Sequence, residues 1–111
     1  MGLTTVEELA ARKFRVALAD KLGARVLDVR VFGSRARGDS RADSDLDIFV
    51  MVDERDSMLD RLVVNAACEV EEGLGFPFLV APRIMAEAHF EELVRRERRL
   101  ALDILREGIP I

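Results

Sequence analysis

Residues 45–52 read DLDIFVMV, and the later part of this run is apolar at every position. A strand with one wet face alternates apolar and polar residues. A run without alternation fits a central strand covered on both sides. The same run begins with carboxylates at alternate positions, Asp45 and Asp47. In a strand their side chains leave one face, with Cα atoms about 6–7 Å apart, while Leu46 and Ile48 point the other way into the core. The segment predicts a buried strand whose entrance carries two like charges.

Such a strand needs neighbours and cover, and the flanking sequence supplies both. RVLDVRVF, residues 25–32, alternates with Leu27, Val29 and Val31 on one face, which reads as a strand. Ahead of it, Thr4 and Thr5 precede Glu7 and Glu8 by three residues, the pattern of a capping box. Val6, Leu9, Ala10, Phe14, Ala17 and Leu18 then form an apolar helical stripe, which Gly23 is placed to end. Downstream, Asp56 or Ser57 can cap a second helix striped by Leu59, Leu62, Val63, Ala66 and Val70 and ended by Gly73 and Gly75. FPFLVA, residues 76–81, reads as a third short strand that Pro77 and Pro82 push toward a sheet edge. From about Ala86 one helical pattern runs through Phe90, Leu93, Val94, Leu100, Ile104 and Leu105, closed by Gly108 and Pro110. The order predicts a small α/β (α+β) domain with a mixed β-sheet and flanking helices, one unit over residues 1–111.

The 17 basic and 21 acidic residues give a formal charge of −4. Direct nucleic-acid binding wants a basic field, so it is not expected here. MGLTTVEELAARKF has no signal-peptide core, and no apolar run reaches membrane-spanning length. The single cysteine, Cys68, forms no internal disulfide and no multi-cysteine zinc site. The expected setting is cytoplasmic, without a membrane.

Residues 33–47, GSRARGDSRADSDLD, join the two long strands and concentrate the chemistry. Two carboxylates on one face repel each other unless a cation lies between them. Mg²⁺ favours oxygen ligands and commonly takes substrate phosphates as further ligands. Gly33 lets the backbone turn sharply and approach a ligand, and Ser34 offers a hydroxyl and an amide at a helix-like start, both suited to a phosphate. Gly33, Gly38 and Ser40 have the spacing of a P-loop, but Asp39 stands where its lysine must be, which excludes that motif. Arg37-Gly38-Asp39 spells an adhesion tripeptide, without a secretion signal to support that use. On spacing alone, Asp45 and Asp47 are equally a solvated strand start paired with Arg35, Arg37 or Arg41.

The complete pattern, Gly-Ser-Arg-Ala-Arg-Gly followed by Ser-Asp-Leu-Asp, resembles the signature of the minimal nucleotidyltransferases, a branch of the DNA polymerase beta superfamily. The resemblance spans nearly the whole chain, because the order of elements fits the nucleotidyltransferase fold as well. It implies transfer of a nucleoside monophosphate, commonly AMP from ATP, to a hydroxyl. Asp45 and Asp47 would be the catalytic pair and hold Mg²⁺, and Gly33 and Ser34 would hold the β- and γ-phosphates. Arg35 and Arg37 would either steady the phosphates or pair with nearby acids to shape the loop. Active relatives usually add a third carboxylate from a later strand. FPFLVAPRI contains none and has Arg83 near its end.

A chain of this length leaves no room for an acceptor-binding domain, so the acceptor is docked by the bare domain, a second copy in a homo-oligomer, or another protein. Relatives are often paired with a helical HEPN-domain RNase in toxin–antitoxin modules, and some transfer AMP to a tyrosine of that partner. This chain has no tyrosine to modify in itself. Two functions follow from the resemblance: an enzyme acting on a HEPN-type partner, or an antitoxin subunit that neutralises the partner by binding, with little turnover. A small-molecule acceptor is a third. His89 reads as solvated and Cys68 as a small buried residue. Arg95-Arg96-Glu97-Arg98-Arg99 reads as a helix face paired with Glu91 and Glu92.

Overall fold

The computed structural model describes residues 2–111. Its elements are α1 (Thr5–Leu22), one 3-10 turn, β1 (Val26–Phe32), α2 (Gly33–Arg37), β2 (Leu46–Val52), α3 (Ser57–Gly73), β3 (Val80–Ala86), α4 (Glu87–Arg95), α5 (Arg99–Glu107) and β4 (Ile109–Pro110). The strands form one mixed sheet in the order β3-β2-β1-β4. β1 runs antiparallel to β2 and β4, and β2 runs parallel to β3.

β2 is central and covered on both sides, as its unbroken apolar run requires. Leu46, Ile48, Val50 and Val52 are buried on one face against Phe14 and Leu18 of α1 and Leu59 and Val63 of α3. Phe49 faces the other way, with Phe32, Met85, Phe90, Ala101 and Ile104, and its ring lies 4.8 Å from that of Phe90. Asp47 shares the parity of Phe49, so it opens onto the α4–α5 side of the sheet.

The expected caps are present. Thr4 Oγ1 accepts the Glu7 amide at 3.3 Å and the Thr4 amide donates to Glu7 Oε1 at 2.8 Å, completing the capping box of α1. Asp56, rather than Ser57, caps α3 by accepting the Leu59 amide at 2.8 Å.

Five expectations need correction. Leu27 is 46% exposed instead of sharing the buried face of Val29 and Val31. A bulge between Val26 and Asp28 inserts it as an extra residue and breaks the alternation there. β2 starts at Leu46, so Asp45 precedes the strand.

The third strand is Val80–Ala86, not 76–81. FPFL is drawn instead into closing α3. The Phe76 amide donates to the Glu71 carbonyl and the Gly75 amide to that of Glu72, with Gly75 at φ +72°. Pro82 falls inside β3, which its edge position tolerates.

The final helical pattern splits in two at residues 96–98. The Arg98 amide reaches the Leu93 carbonyl and the Glu97 amide that of Val94, a Schellman turn with Glu97 at φ 53° where glycine is favoured. The apolar period continues through the break, so the sequence does not reveal it. Glu97→Gly is expected to raise stability by about 1 kcal/mol, the cost of a left-handed non-glycine residue less the added freedom of the unfolded chain. Denaturant titration would measure it. After α5, Gly108 gives way to β4, unforeseen, where Ile109 and Pro110 pair with Val31 and Arg30.

Candidate functional site

Asp47 pairs across the sheet with Phe32, the last residue of β1. The turn that follows β1 therefore arrives beside its carboxylate. Gly33 opens that turn at φ +79°, and a Cβ built there would stand 2.4 Å from Asp47 Oδ2. Glycine is required twice, for the backbone angle and for the space. Ser34 comes next, half-buried, in a helix of five residues whose first amides have no carbonyl partner within the helix. Backbone donors and a carboxylate are thus brought side by side. Gly33→Ala is expected to displace the Asp47 carboxylate, destabilise the fold by about 2 kcal/mol and cut activity at this site about a hundredfold. Thermal melts would measure the first effect, and comparison of the variant's turnover with that of wild type the second.

Asp45 and Asp47 remain neighbours although only Asp47 lies in β2. Asp47 is half-buried and Asp45 exposed. Burial pushes the Asp47 carboxyl above its ordinary range, and the Asp45 charge adds to this. Arg83 and Arg37 pull the other way from a distance, without hydrogen-bonding to it. The folded protein consequently holds the Asp47 proton more tightly than the unfolded chain. Stability from this group is full below the unfolded value of 3.8 and is lost as pH rises through the raised folded value. Asp47→Asn should therefore melt above wild type at pH 7. That gain should vanish in melts below pH 3.8.

The repelling pair suits a hard divalent cation that takes its other ligands from a bound phosphate. Among the described residues no group of three or more His, Cys, Asp or Glu side chains could hold a metal. The protein's share of such a site is the two carboxylates.

Arg35 and Arg37, the two arginines of the turn, diverge. Arg35 is 9% exposed. Its guanidinium donates to Glu7 Oε2 at 2.8 Å and to the Ser44 carbonyl at 2.9 Å, with longer bonds to the carbonyls of Arg41 and Ala42. It also lies 4.5 Å from the centre of the Phe78 ring. Of the two roles weighed for Arg35, the structure favours shaping the loop over steadying phosphates. It ties the carbonyls that lead into Asp45 to the start of α1. Sequence reasoning missed Glu7 as the partner, because a capping-box glutamate already has a local role. Arg37 is exposed and bridges Asp39 and Glu107 at 3.3 and 3.2 Å, which links the turn to α5. Those partners hold its guanidinium above the ordinary arginine value, Glu107 contributing most.

Beyond the turn, His89 is exposed. Cys68 is exposed too, which corrects the expectation of burial. The buried side of α3 is set by Leu59, Val63, Ala66, Ala67 and Val70, and Cys68 falls off that stripe. Glu92 pairs with Arg95 and Arg96, as a solvated helix face would.

Comparison with known proteins bears on what this arrangement does. Residues 11–104 match the family described as the nucleotidyltransferase domain. A Methanocaldococcus jannaschii protein provisionally named a protein adenylyltransferase is 37% identical over 76 residues, which cover 60% of this chain and 76% of that protein. A solved structure, provisionally described as a minimal nucleotidyltransferase, superposes with a TM-score of 0.57 at 34% identity, covering 97% of both chains. A toxin–antitoxin structure with AMP-PNP superposes with a TM-score of 0.55 over 90% of this chain and 70% of that one. At 17% identity this last likeness concerns the fold alone.

Proposed function

Because this chain belongs to the nucleotidyltransferase domain family, we propose that it transfers AMP from ATP to a hydroxyl on a HEPN-type partner protein. The observation that carries the reading is Gly33 set against Asp47, with room for no side chain between them. That contact joins a phosphate-binding turn to a carboxylate pair. In this reading Ser34 and the first amides of α2 grip the β- and γ-phosphates. Asp45 and Asp47 hold the divalent cation, Mg²⁺ by the chemistry of its ligands. When bound, the cation neutralises charge on the reacting phosphoryl group and the departing pyrophosphate. The acceptor oxygen forms a bond to the α-phosphorus as the α–β anhydride bond breaks. Pyrophosphate leaves with the electron pair, and the hydroxyl proton passes to solvent.

Arg35 serves this site as a positioning residue, fixing the loop that delivers Asp45. Arg37, exposed at the mouth of the turn, keeps its candidate role toward the phosphates. Among the described residues no helix is long and apolar enough to cross a membrane.

A second reading rests on β3, which offers no carboxylate beside Asp47. On that reading the chain is the antitoxin subunit and neutralises its partner by binding, with little turnover. Co-expression with a HEPN-type partner, followed by intact-mass measurement of that partner, separates the two. The transferase reading expects the mass of one AMP added, and none with Asp47→Asn. An unmodified partner that is bound equally well by wild type and variant would sink it.

A further inference from the structure

The edge strand β3 runs parallel to β2, pairing Ala81 with Asp47 and Arg83 with Phe49. Paired residues share a face, so Ala81 and Arg83 stand on the same side of the sheet as Asp47. Ala81, directly opposite Asp47, presents only a methyl group. Arg83, two residues further on, is exposed, and none of the ion pairs or side-chain hydrogen bonds among the described residues involves it. The neighbouring Arg35, Arg37 and Arg30 are engaged by Glu7, by Asp39 and Glu107, and by Asp28, whereas Arg83, like Arg41 in the loop, has no carboxylate partner among the described residues. An unpaired guanidinium therefore flanks the acidic pair on the side away from the Gly33 turn.

The direction of the reaction gives this position a role. In a phosphoryl displacement the attacking and leaving oxygens lie roughly in line, on opposite sides of the phosphorus. With the leaving pyrophosphate at the Gly33–Ser34 turn, on the β1 side, the acceptor approaches from the β3 side. Many phosphoryl-transfer sites place a second divalent cation there, clamping the transferred group and the attacking oxygen. A second cation needs further anionic ligands, and no third acidic side chain joins this pair among the described residues.

We propose that Arg83 stands in for a second cation, its guanidinium binding the non-bridging oxygens of the transferred phosphoryl group so that the site works with one divalent ion. A guanidinium suits that task, because it is charged at any working pH and donates in a planar fork to phosphate oxygens. The inference rests on the nucleotidyltransferase reading and on Asp45 and Asp47 as the cation's ligands.

The test counts ions. Mn²⁺ would be titrated by electron paramagnetic resonance into the full chain with an α,β-methylene analogue of ATP. Wild type is expected to bind one ion per chain, Arg83→Ala also one, and Arg83→Glu two, because the new carboxylate completes a second site. The analogue's Kd should rise about tenfold in Arg83→Ala and recover in part in Arg83→Lys. Arg83 is exposed and makes no ion pair, so circular dichroism should show all three variants folded. Two ions in wild type, or one ion and an unchanged Kd across the variants, would overturn the role of Arg83 and leave the family reading standing. No binding of Mn²⁺ and the analogue to wild type would instead bring down the nucleotide site on which the inference depends.

Discussion

Asp47→Asn should lower AMP transfer by at least about a thousandfold while leaving the protein folded. The folded state already carries a cost at this position. The carboxylate is half-buried beside Asp45, and burial and that neighbour together push its pKa up. An amide of the same shape relieves the cost and removes the charge that would hold a divalent cation. Activity and stability are therefore expected to move in opposite directions, which a misfolded variant cannot imitate. Asp45→Asn should also lose activity, by a smaller factor, since Asp45 lies outside β2 and is exposed. Asp43, two residues earlier and exposed in the loop, serves as the control, and Asp43→Asn should retain wild-type transfer. The assay is incorporation of AMP from ATP labelled at the α-phosphate.

Arg35→Met should lower stability by about 3–4 kcal/mol. Glu7 is 3% exposed and Arg35 9%, and they meet at 2.8 Å. Burial alone would raise the Glu7 carboxyl. The Thr4 backbone amide, the Arg35 guanidinium and the Thr4 hydroxyl more than offset this, and hold it below its ordinary value of 4.5. The stability this group contributes is present above pH 4.5 and lost as pH falls through the depressed folded value. Removing Arg35 leaves Glu7 as a buried charge with its Thr4 partners alone, and it frees the loop carbonyls at Ser44, Arg41 and Ala42. The double variant Glu7→Gln/Arg35→Met should recover part of the loss, since no unpaired charge then remains. Urea denaturation of the two variants at pH 7 would separate the charge term from the loss of the loop clasp.

What the sequence could and could not reveal divides along physical lines. The central position of β2 was legible because both of its faces are apolar, and its neighbours carry a clear period or a clear cap. The Gly33–Asp47 contact was half legible: the glycine and the acid stand out, but their approach depends on the antiparallel register of β1 and β2. Features that depend on turn geometry were not visible. The apolar period of residues 86–105 passes through the Schellman turn at Glu97 without interruption. Phe76 and Phe78 look like strand residues, yet one closes α3 and the other lies under Arg35. The Glu7–Arg35 pair spans 28 residues of chain, and nothing local distinguishes Arg35 from Arg37. The acid missing from β3 could be read directly. That Arg83 is left unpaired beside Asp47 required the parallel register of β2 and β3.

The central claim is that this site breaks the bond between the α- and β-phosphates of ATP and passes the nucleotidyl group on. Parallel reactions with ATP labelled at the α- or the γ-phosphate, in the presence of Mg²⁺ and a HEPN-type partner, test it most directly. The account predicts α-label on the partner, γ-label released as pyrophosphate, and neither outcome with Asp47→Asn. γ-Label on the partner, or release of inorganic phosphate in place of pyrophosphate, would contradict it.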